Sequence, residues 1–224
     1  MMQRPNHNKT RVVIVEDHPM FRERLAELIN KEPDLEVCGE AANIRDGFEL
    51  ITQGSAEVAI IDITLQGSSG LELLKNLKAA GVELPVLVLS MHDESLYAER
   101  VLRAGARGYI TKSEASAKIM IALRQVLAGE IYLSTKMSTK ILGQLAGSGE
   151  RASGLARLTD RELEVFNLIG RGQTTREISA NLGLGAATVE TYRARIKEKL
   201  QLENGARLQQ QALQWVQAVE QRAA

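Results

Sequence analysis

Hydrophobic and polar positions follow two different patterns along this chain. Up to residue 129, short unbroken apolar runs alternate with segments whose apolar residues recur every three or four positions. Arg11–Val15 is such a run and leads into Glu16 and Asp17. From Pro19 onward, Phe21, Leu25, Leu28 and Ile29 line one helical face. Pro19 lies where a first helical turn tolerates it. The alternation continues with strand Leu35–Ala41, helix Ile44–Thr52 (weakened by Gly47), strand Val58–Asp62 and helix Leu71–Ala80. Strand Pro85–Ser90, helix Leu96–Ala104, strand Gly108–Ile110 and helix Ser113–Ala128 follow, with Gly105 and Gly129 as stops. Five βα units in succession predict an α/β domain over residues 11–129. Its centre is a doubly wound, five-stranded parallel sheet with helices on both faces.

Beyond residue 129 the strand signal stops. Residues 130–157 read as a linker, with one short helix over Met137–Leu145 and then the polar, glycine-rich GSGERASG. Residues 158–224 read as helix throughout. Thr159 with Glu162 three positions on is a capping box, and Leu163, Val165, Phe166 and Ile169 form the buried stripe behind it. Gly170 or Gly172 ends that helix. Another begins near Thr174 and carries Ile178 and Leu182. Gly183 then supplies a turn with positive φ, and a further helix runs from Ala186 to Leu200. This is a helix-turn-helix, whose second helix can enter a major groove. A closing helix near Gly205–Val219 carries Leu208, Ala212, Trp215, Val216 and Val219 on one stripe.

Composition narrows the class. Hydrophobic content of 44% supports packed cores and excludes a disordered chain. Lys and Arg total 28 against 28 Asp and Glu, so affinity for a polyanion must come from a local patch. Such a patch exists. Ala186–Leu200 holds four basic and two acidic residues, and its outer face presents Thr188, Glu190, Thr191, Tyr192, Arg193, Arg195, Lys197 and Lys199. Val189, also an apolar position of the motif, is counted with the same DNA-contacting set. Cys38 is the only cysteine, which excludes an intramolecular disulfide and suits a reducing cytoplasm. We read it as a small apolar strand residue rather than a redox sensor. Residues 1–10 form a polar tail without a signal-peptide core, and no apolar run is long enough to span a membrane.

The α/β half also carries candidate chemistry. In open parallel sheets the ligand site lies at the carboxyl ends of the strands. There the first strand is followed by Glu16 and Asp17, the third ends at Asp62, the fourth at Ser90, and the fifth is followed by Lys112. Clustered carboxylates without cysteine suit a hard cation held by Glu16, Asp17 and Asp62, and Mg2+ is the usual choice beside phosphate. His18 is not expected to be a ligand, since imidazole suits softer metals and no second histidine lies nearby. Ser90 and Lys112 suit phosphoryl oxygens as hydroxyl donor and point charge. The set is built to receive a phosphoryl group on a carboxylate.

With VEDHP, Asp62, Ser90 and Tyr109–Lys112 in this order, residues 11–129 resemble the flavodoxin-like receiver domain of bacterial two-component response regulators. LTDRELEVFNLI, EISANLGL and TVETYRARIKEKL make residues 158–224 resemble a LuxR-type helix-turn-helix domain. Together they resemble a NarL/FixJ-type response regulator. The resemblance implies Asp62 as phosphoacceptor. It implies Mg2+ bound by Asp17 directly, by Glu16 through water, and by the Thr64 carbonyl. Ser90 and Tyr109 would be a switch pair beside Lys112. It further implies a sensor histidine kinase as donor, double-stranded DNA as target, a homodimer when phosphorylated, and no turnover enzymology. Two positions depart from the family pattern. Gln66 replaces the common proline four residues after the acceptor, and Ser179 replaces a usual alanine.

Other readings are weaker. A haloacid-dehalogenase-type phosphatase also uses a strand-end aspartate, but at its first strand and with a second aspartate two residues on, where this chain has Thr64. A constitutive DNA-binding protein with an inert receiver would not need all five site positions intact. GLGAAT follows a helix and lacks the third glycine, so it is no dinucleotide fingerprint.

Overall fold

The computed structural model describes residues 9–65, 68–91, 94–145 and 154–223. The chain divides between Ser138 and Thr139 into two compact units.

The first unit is built on five parallel strands: β1 (Thr10–Val15), β2 (Leu35–Ala41), β3 (Val58–Asp62), β6 (Val86–Ser90) and β7 (Gly108–Thr111), in the order β2-β1-β3-β6-β7. A two-residue hairpin, β4 (Thr64–Leu65) against β5 (Ser68–Ser69), follows β3. It brackets Gln66 and Gly67, which lie outside the described residues, so the Gln66 departure does too. The helices are α1 (Pro19–Asn30), α2 (Ile44–Gln53), α3 (Gly70–Ala79), α4 (Glu94–Arg103) and α5 (Lys112–Leu127). Strands β3 and β6 are buried along their whole length, because helices cover both faces of the sheet. That is why these strands read as unbroken apolar runs rather than alternating ones. Val12, Ile14, Ile60, Leu87 and Leu89 of the sheet pack with Leu25 and Ile29 of α1 and Ile119 and Leu123 of α5. Cys38 is half-buried in β2.

The strand order reverses between β1 and β3, so their carboxyl ends flank the crevice where such sheets bind ligands. Behind that crevice the packing is tight. A Cβ on Gly70 would lie 1.9 Å from the Asp62 carbonyl oxygen, so only glycine lets α3 begin there.

Part of the 130–157 segment is built onto the sheet. Tyr132 bridges Gly108, its carbonyl accepting from the Tyr109 amide at 3.0 Å and its amide donating to Arg107 at 3.0 Å. Helix α6 (Thr135–Leu145) follows and buries Met137. Of GSGERASG, only Gly154 falls within the described residues.

The second unit contains a 3-10 turn (Gly154–Arg157) and helices α7 (Asp160–Gly170), α8 (Thr175–Leu182), α9 (Ala186–Leu200) and α10 (Gly205–Ala223). The Thr159–Glu162 capping box forms at α7, and a second, Thr174–Glu177, forms at α8. Gly183 closes α8 at φ 61°, the left-handed turn that the pattern predicts. Leu163, Phe166 and Ile169 of α7 are buried with Ile178, Leu182, Val189, Ile196, Leu208, Ala212 and Val216, and the Phe166 and Trp215 rings lie 6.0 Å apart.

Gly70→Ala should destabilise the first unit by at least the ~1–3 kcal/mol typical of overpacking, because the obstacle is backbone. Gly205→Ala, where a Cβ meets open space, should change stability by less than about 1 kcal/mol. Urea unfolding of the two variants against wild type measures both.

Candidate functional site

Four strand ends assemble the candidate site in the first unit. Glu16 and Asp17 follow β1, Asp62 ends β3, Ser90 ends β6, and Lys112 opens α5 directly after β7. The Lys112 ammonium lies between two buried carboxylates, with Nζ 2.8 Å from Asp62 Oδ2 and 2.6 Å from Glu16 Oε2. The Thr64 amide donates to Asp62 Oδ1 at 3.2 Å. Glu16, Asp62, Ser90 and Lys112 are all buried. Tyr109 is buried in β7 opposite Val88 of β6, one strand beyond the end that carries Ser90. All the candidate residues of the first unit, Glu16, Asp17, Asp62, Thr64, Ser90, Tyr109 and Lys112, therefore belong to one edge of the sheet or the strands beneath it.

Several participants were not foreseen. The Phe21 ring lies 4.9 Å from Lys112 Nζ, close enough for a cation–π contact. Arg22 donates to the Glu16 carbonyl at 2.6 Å and pairs with Glu40 at 3.3 Å. His18 sits with Nδ1 3.0 Å from Glu16 Oε1 and 2.8 Å from Asp17 Oδ1, while most of its ring is exposed. These contacts depend on where the α1 entry lies above the sheet, which residue order does not reveal.

Burial and charge pull against each other within this cluster. Burial, and then the charge of Glu16, push the Asp62 carboxyl up to about 7, against the opposing pull of Lys112 and the Thr64 amide. Burial alone would lower Lys112, but Asp62 and Glu16 outweigh it and hold its pKa above the ordinary value. Among the described residues, no hydrogen bond is found to the buried Glu16 Oε2 and Asp17 Oδ1, although the Lys112 Nζ and His18 Nδ1 nitrogens lie 2.6 and 2.8 Å away. Ligand atoms of Glu16, Asp17, His18 and Asp62 lie within 4.8 Å of one another. Buried, under-coordinated carboxylate oxygens at this spacing fit a hard divalent cation.

In the second unit, α8, the Gly183 turn and α9 form the helix-turn-helix. Thr188, Glu190, Thr191 and Arg195 are exposed on α9, whereas Tyr192, Arg193, Lys197 and Lys199 are half-buried. Val189 corrects the sequence reading. It is fully buried beneath α9 and cannot reach DNA, because its apolar side chain is needed in the core. Lys199 pairs with Glu162 of α7 at 2.6 Å, which ties α9 to the unit. Burial opposes ionisation of Glu162, but Lys199 and the cap at Thr159 keep its carboxyl below the usual range. Glu190 accepts from the Thr175 hydroxyl at 2.6 Å and lies 3.6 Å from the Arg193 Nε. The Thr191 hydroxyl donates to the Ala187 carbonyl at 2.9 Å. The Ser179 hydroxyl donates to the Leu184 carbonyl, so this departure from alanine pins the turn rather than being merely tolerated.

Known proteins match both units. The family model of the response regulator receiver domain matches residues 12–124, and that of the luxR family of bacterial regulatory proteins matches residues 156–212. The transcriptional regulatory protein LiaR of Bacillus subtilis is 35% identical over 192 residues, covering 85% of this chain and 90% of LiaR. The oxygen regulatory protein NreC of Staphylococcus carnosus is 31% identical over 209 residues, 91% of this chain and 96% of NreC. RcsB of Salmonella enterica serovar Typhimurium, in a structure bound to promoter rprA with the phosphomimetic BeF3-, superposes with a TM-score of 0.59. At 22% identity, over 91% of this chain and 98% of that one, this last likeness is one of fold.

The raised Asp62 carboxyl has a measurable consequence. Its folded pKa of about 7 lies above the ordinary carboxylate value of 3.8, so the folded chain holds more protons between those limits. Stability should therefore fall as pH rises from about 4 to about 7 in metal-free buffer. Urea unfolding across this range should show a shallower decline for Asp62→Asn. An identical decline in the variant would locate the proton elsewhere.

Proposed function

The chain belongs to the NarL/FixJ-type response regulators, transcription regulators that join a receiver domain to a LuxR-type DNA-binding domain, and we propose that phosphorylation of Asp62 switches its binding to DNA. The observation that carries this reading is the buried Lys112–Asp62–Glu16 cluster at the reversal point of the sheet. We assign the receiver to residues 11–129, the linker to 130–157 and the DNA-binding domain to 158–224.

A sensor histidine kinase supplies the phosphoryl group. Its phosphohistidine P–N bond breaks as an Asp62 oxygen bonds to phosphorus, leaving an acyl phosphate. The attacking carboxylate must be ionised, and the Lys112 ion pair favours that form against burial. Glu16, Asp17, Asp62 and the Thr64 carbonyl would hold Mg2+, which when bound offsets the charge of the carboxylates and of the arriving phosphoryl oxygens. Lys112 would exchange its Asp62 oxygen for a phosphoryl oxygen, and the Ser90 hydroxyl would donate to another. Ser90 and Tyr109, on adjacent strands, would carry the change away from the site. As a transcription regulator the chain is not a turnover enzyme, and slow hydrolysis of its own acyl phosphate would reset it.

On the DNA side each chain offers one recognition helix, α9, which favours a phosphorylated homodimer on an inverted repeat with half-sites about one helical turn, ~10 bp, apart. RcsB has been captured on promoter DNA, which supports this use of the shared fold. Among the described residues no helix is long and apolar enough to cross a membrane. A DNA-binding regulator works where the chromosome is, so we place the protein in the cytoplasm.

Asp62→Asn should fold normally and take no phosphoryl group from acetyl phosphate, and wild type in excess EDTA should take none either. A phosphate-affinity gel shift reads both. Labelling of the variant would end the assignment, and labelling in EDTA would remove the metal from it. A wild type that takes label with Mg2+ but binds DNA identically with and without it would favour a constitutive DNA-binding protein with an inert receiver.

For DNA, Arg195→Ala should weaken all sequences alike and flatten the salt dependence by roughly one unit per half-site. Glu190→Ala should instead relax preference at one base pair by about 1–3 kcal/mol. Competition binding against single-base-pair operator variants at several salt concentrations separates the two roles. The opposite pattern would mean that they are reversed.

A further inference from the structure

A glutamate on a helix meant for the major groove needs an explanation. Its charge repels phosphates, so it contributes only where it meets a hydrogen-bond donor on a base edge, and only in the right rotamer. A long exposed glutamate normally samples many rotamers, and fixing one on binding costs entropy. Here Glu190 is exposed but not free. Thr175, the first residue of α8, donates its hydroxyl to Glu190 Oε1 at 2.6 Å, and the Arg193 Nε lies 3.6 Å from the same oxygen.

The donor stands on a fixed base. Thr174 caps α8 by accepting from the Glu177 amide at 3.3 Å, while the Glu177 carboxylate takes the Thr174 amide at 2.7 Å. The cap is thus made by Thr174, and the hydroxyl of Thr175 remains for Glu190. The positive end of α8 also favours a carboxylate at that place. Both contacts fall on Oε1, which leaves Oε2 and its lone pairs as the acceptor for an outside donor.

We propose that Thr175 is a specificity-positioning residue, whose hydroxyl aims the Glu190 carboxylate at the exocyclic amino group of a cytosine or adenine in the major groove. The proposal rests on the reading of α9 as the recognition helix. Thr175 itself touches no base. It restricts Glu190 before binding, so that the preference for an amino-bearing base is strengthened without any added affinity for phosphate. Arg193 tempers the carboxylate's repulsion of the nearby backbone.

The test uses the full-length phosphorylated protein and a duplex library randomised over the half-site, followed by competition binding at each selected position. The variants are Thr175→Val, which removes the hydroxyl at nearly constant shape, Thr175→Ala, Thr175→Ser, Glu190→Ala, and the double variant Thr175→Val with Glu190→Ala. Glu190→Ala should relax one base pair, and whether that pair prefers cytosine or adenine on the read strand identifies the amino group. Thr175→Val and Thr175→Ala should each lose about tenfold discrimination at that same pair. Their affinity for non-specific duplex and its salt slope should stay unchanged. Thr175→Ser should retain the preference, and the double variant should lose no more than Glu190→Ala alone. Relaxation by Glu190→Ala with full discrimination in both Thr175→Val and Thr175→Ala would overturn the role of Thr175 and leave the recognition helix standing. Equal weakening of all sequences by Thr175→Val, with matching loss in Thr175→Ser, would make it a structural residue instead. No relaxation by Glu190→Ala at any pair would overturn the base-reading role of Glu190 and this proposal with it.

Discussion

The first unit depends on one buried ammonium. Lys112 stands between Asp62 and Glu16, at 2.8 and 2.6 Å, in a place where an isolated charge would be prohibitive. Its attraction to two carboxylates outweighs the cost of its own burial, and it is what keeps those carboxylates tolerable. The balance is incomplete, because the Asp62 carboxyl is still pushed up to about 7 and, among the described residues, no hydrogen bond is found to one oxygen each of Glu16 and Asp17. A site poised in this way responds strongly to any added charge, whether a cation or a phosphoryl group. That sensitivity is the property a switch needs.

The architecture serves the same end. All five strands of the main sheet run parallel, so their carboxyl ends converge on one edge, and the reversal between β1 and β3 opens a crevice there. The glycine at the start of α3 lets that helix press directly against the Asp62 carbonyl, which leaves Asp62 little freedom to drift. Phe21 and Arg22 enter from α1 and hold Lys112 and the Glu16 backbone from the other side.

In the second unit, charge is divided between structure and recognition. Lys199 binds α9 to α7 through Glu162, and Val189 anchors the same helix in the core, where it is fully buried. The residues that remain exposed, Thr188, Glu190, Thr191 and Arg195, occupy the first turns and the outer middle of α9. The turn before it is fixed by Gly183 and by the Ser179 hydroxyl, which sets the angle at which α9 leaves α8. A recognition helix is useful only when that angle is fixed, since a base edge is read by groups that must arrive together.

The sequence by itself determined the five strands of the main sheet, the principal helices and their order, though not the β4–β5 hairpin. Strands β2 and β3 and helix α9 have the ends that their apolar patterns mark, because burial on both faces of a sheet and on one stripe of a helix leaves a direct periodic record. The capping box at α7 was equally legible, since both partners lie within four residues. The strand-end carboxylates and Lys112 could be gathered by topology alone, as parallel strands carry their ends to one side. What no pattern could give was every relation across a large sequence separation that depends on side-chain direction. Lys199 reads as one more basic residue of α9 until Glu162, 37 positions earlier, is placed beneath it. Val189 belongs to the same short segment as the exposed Thr188, Glu190 and Thr191, and only packing decides that its side chain points inward. Thr175 and Glu190 are ordinary surface residues in the sequence. They meet because the Gly183 turn folds α9 back across the start of α8. Periodicity records which residues avoid water, whereas pairing of polar side chains depends on distances that exist only after the helices have packed.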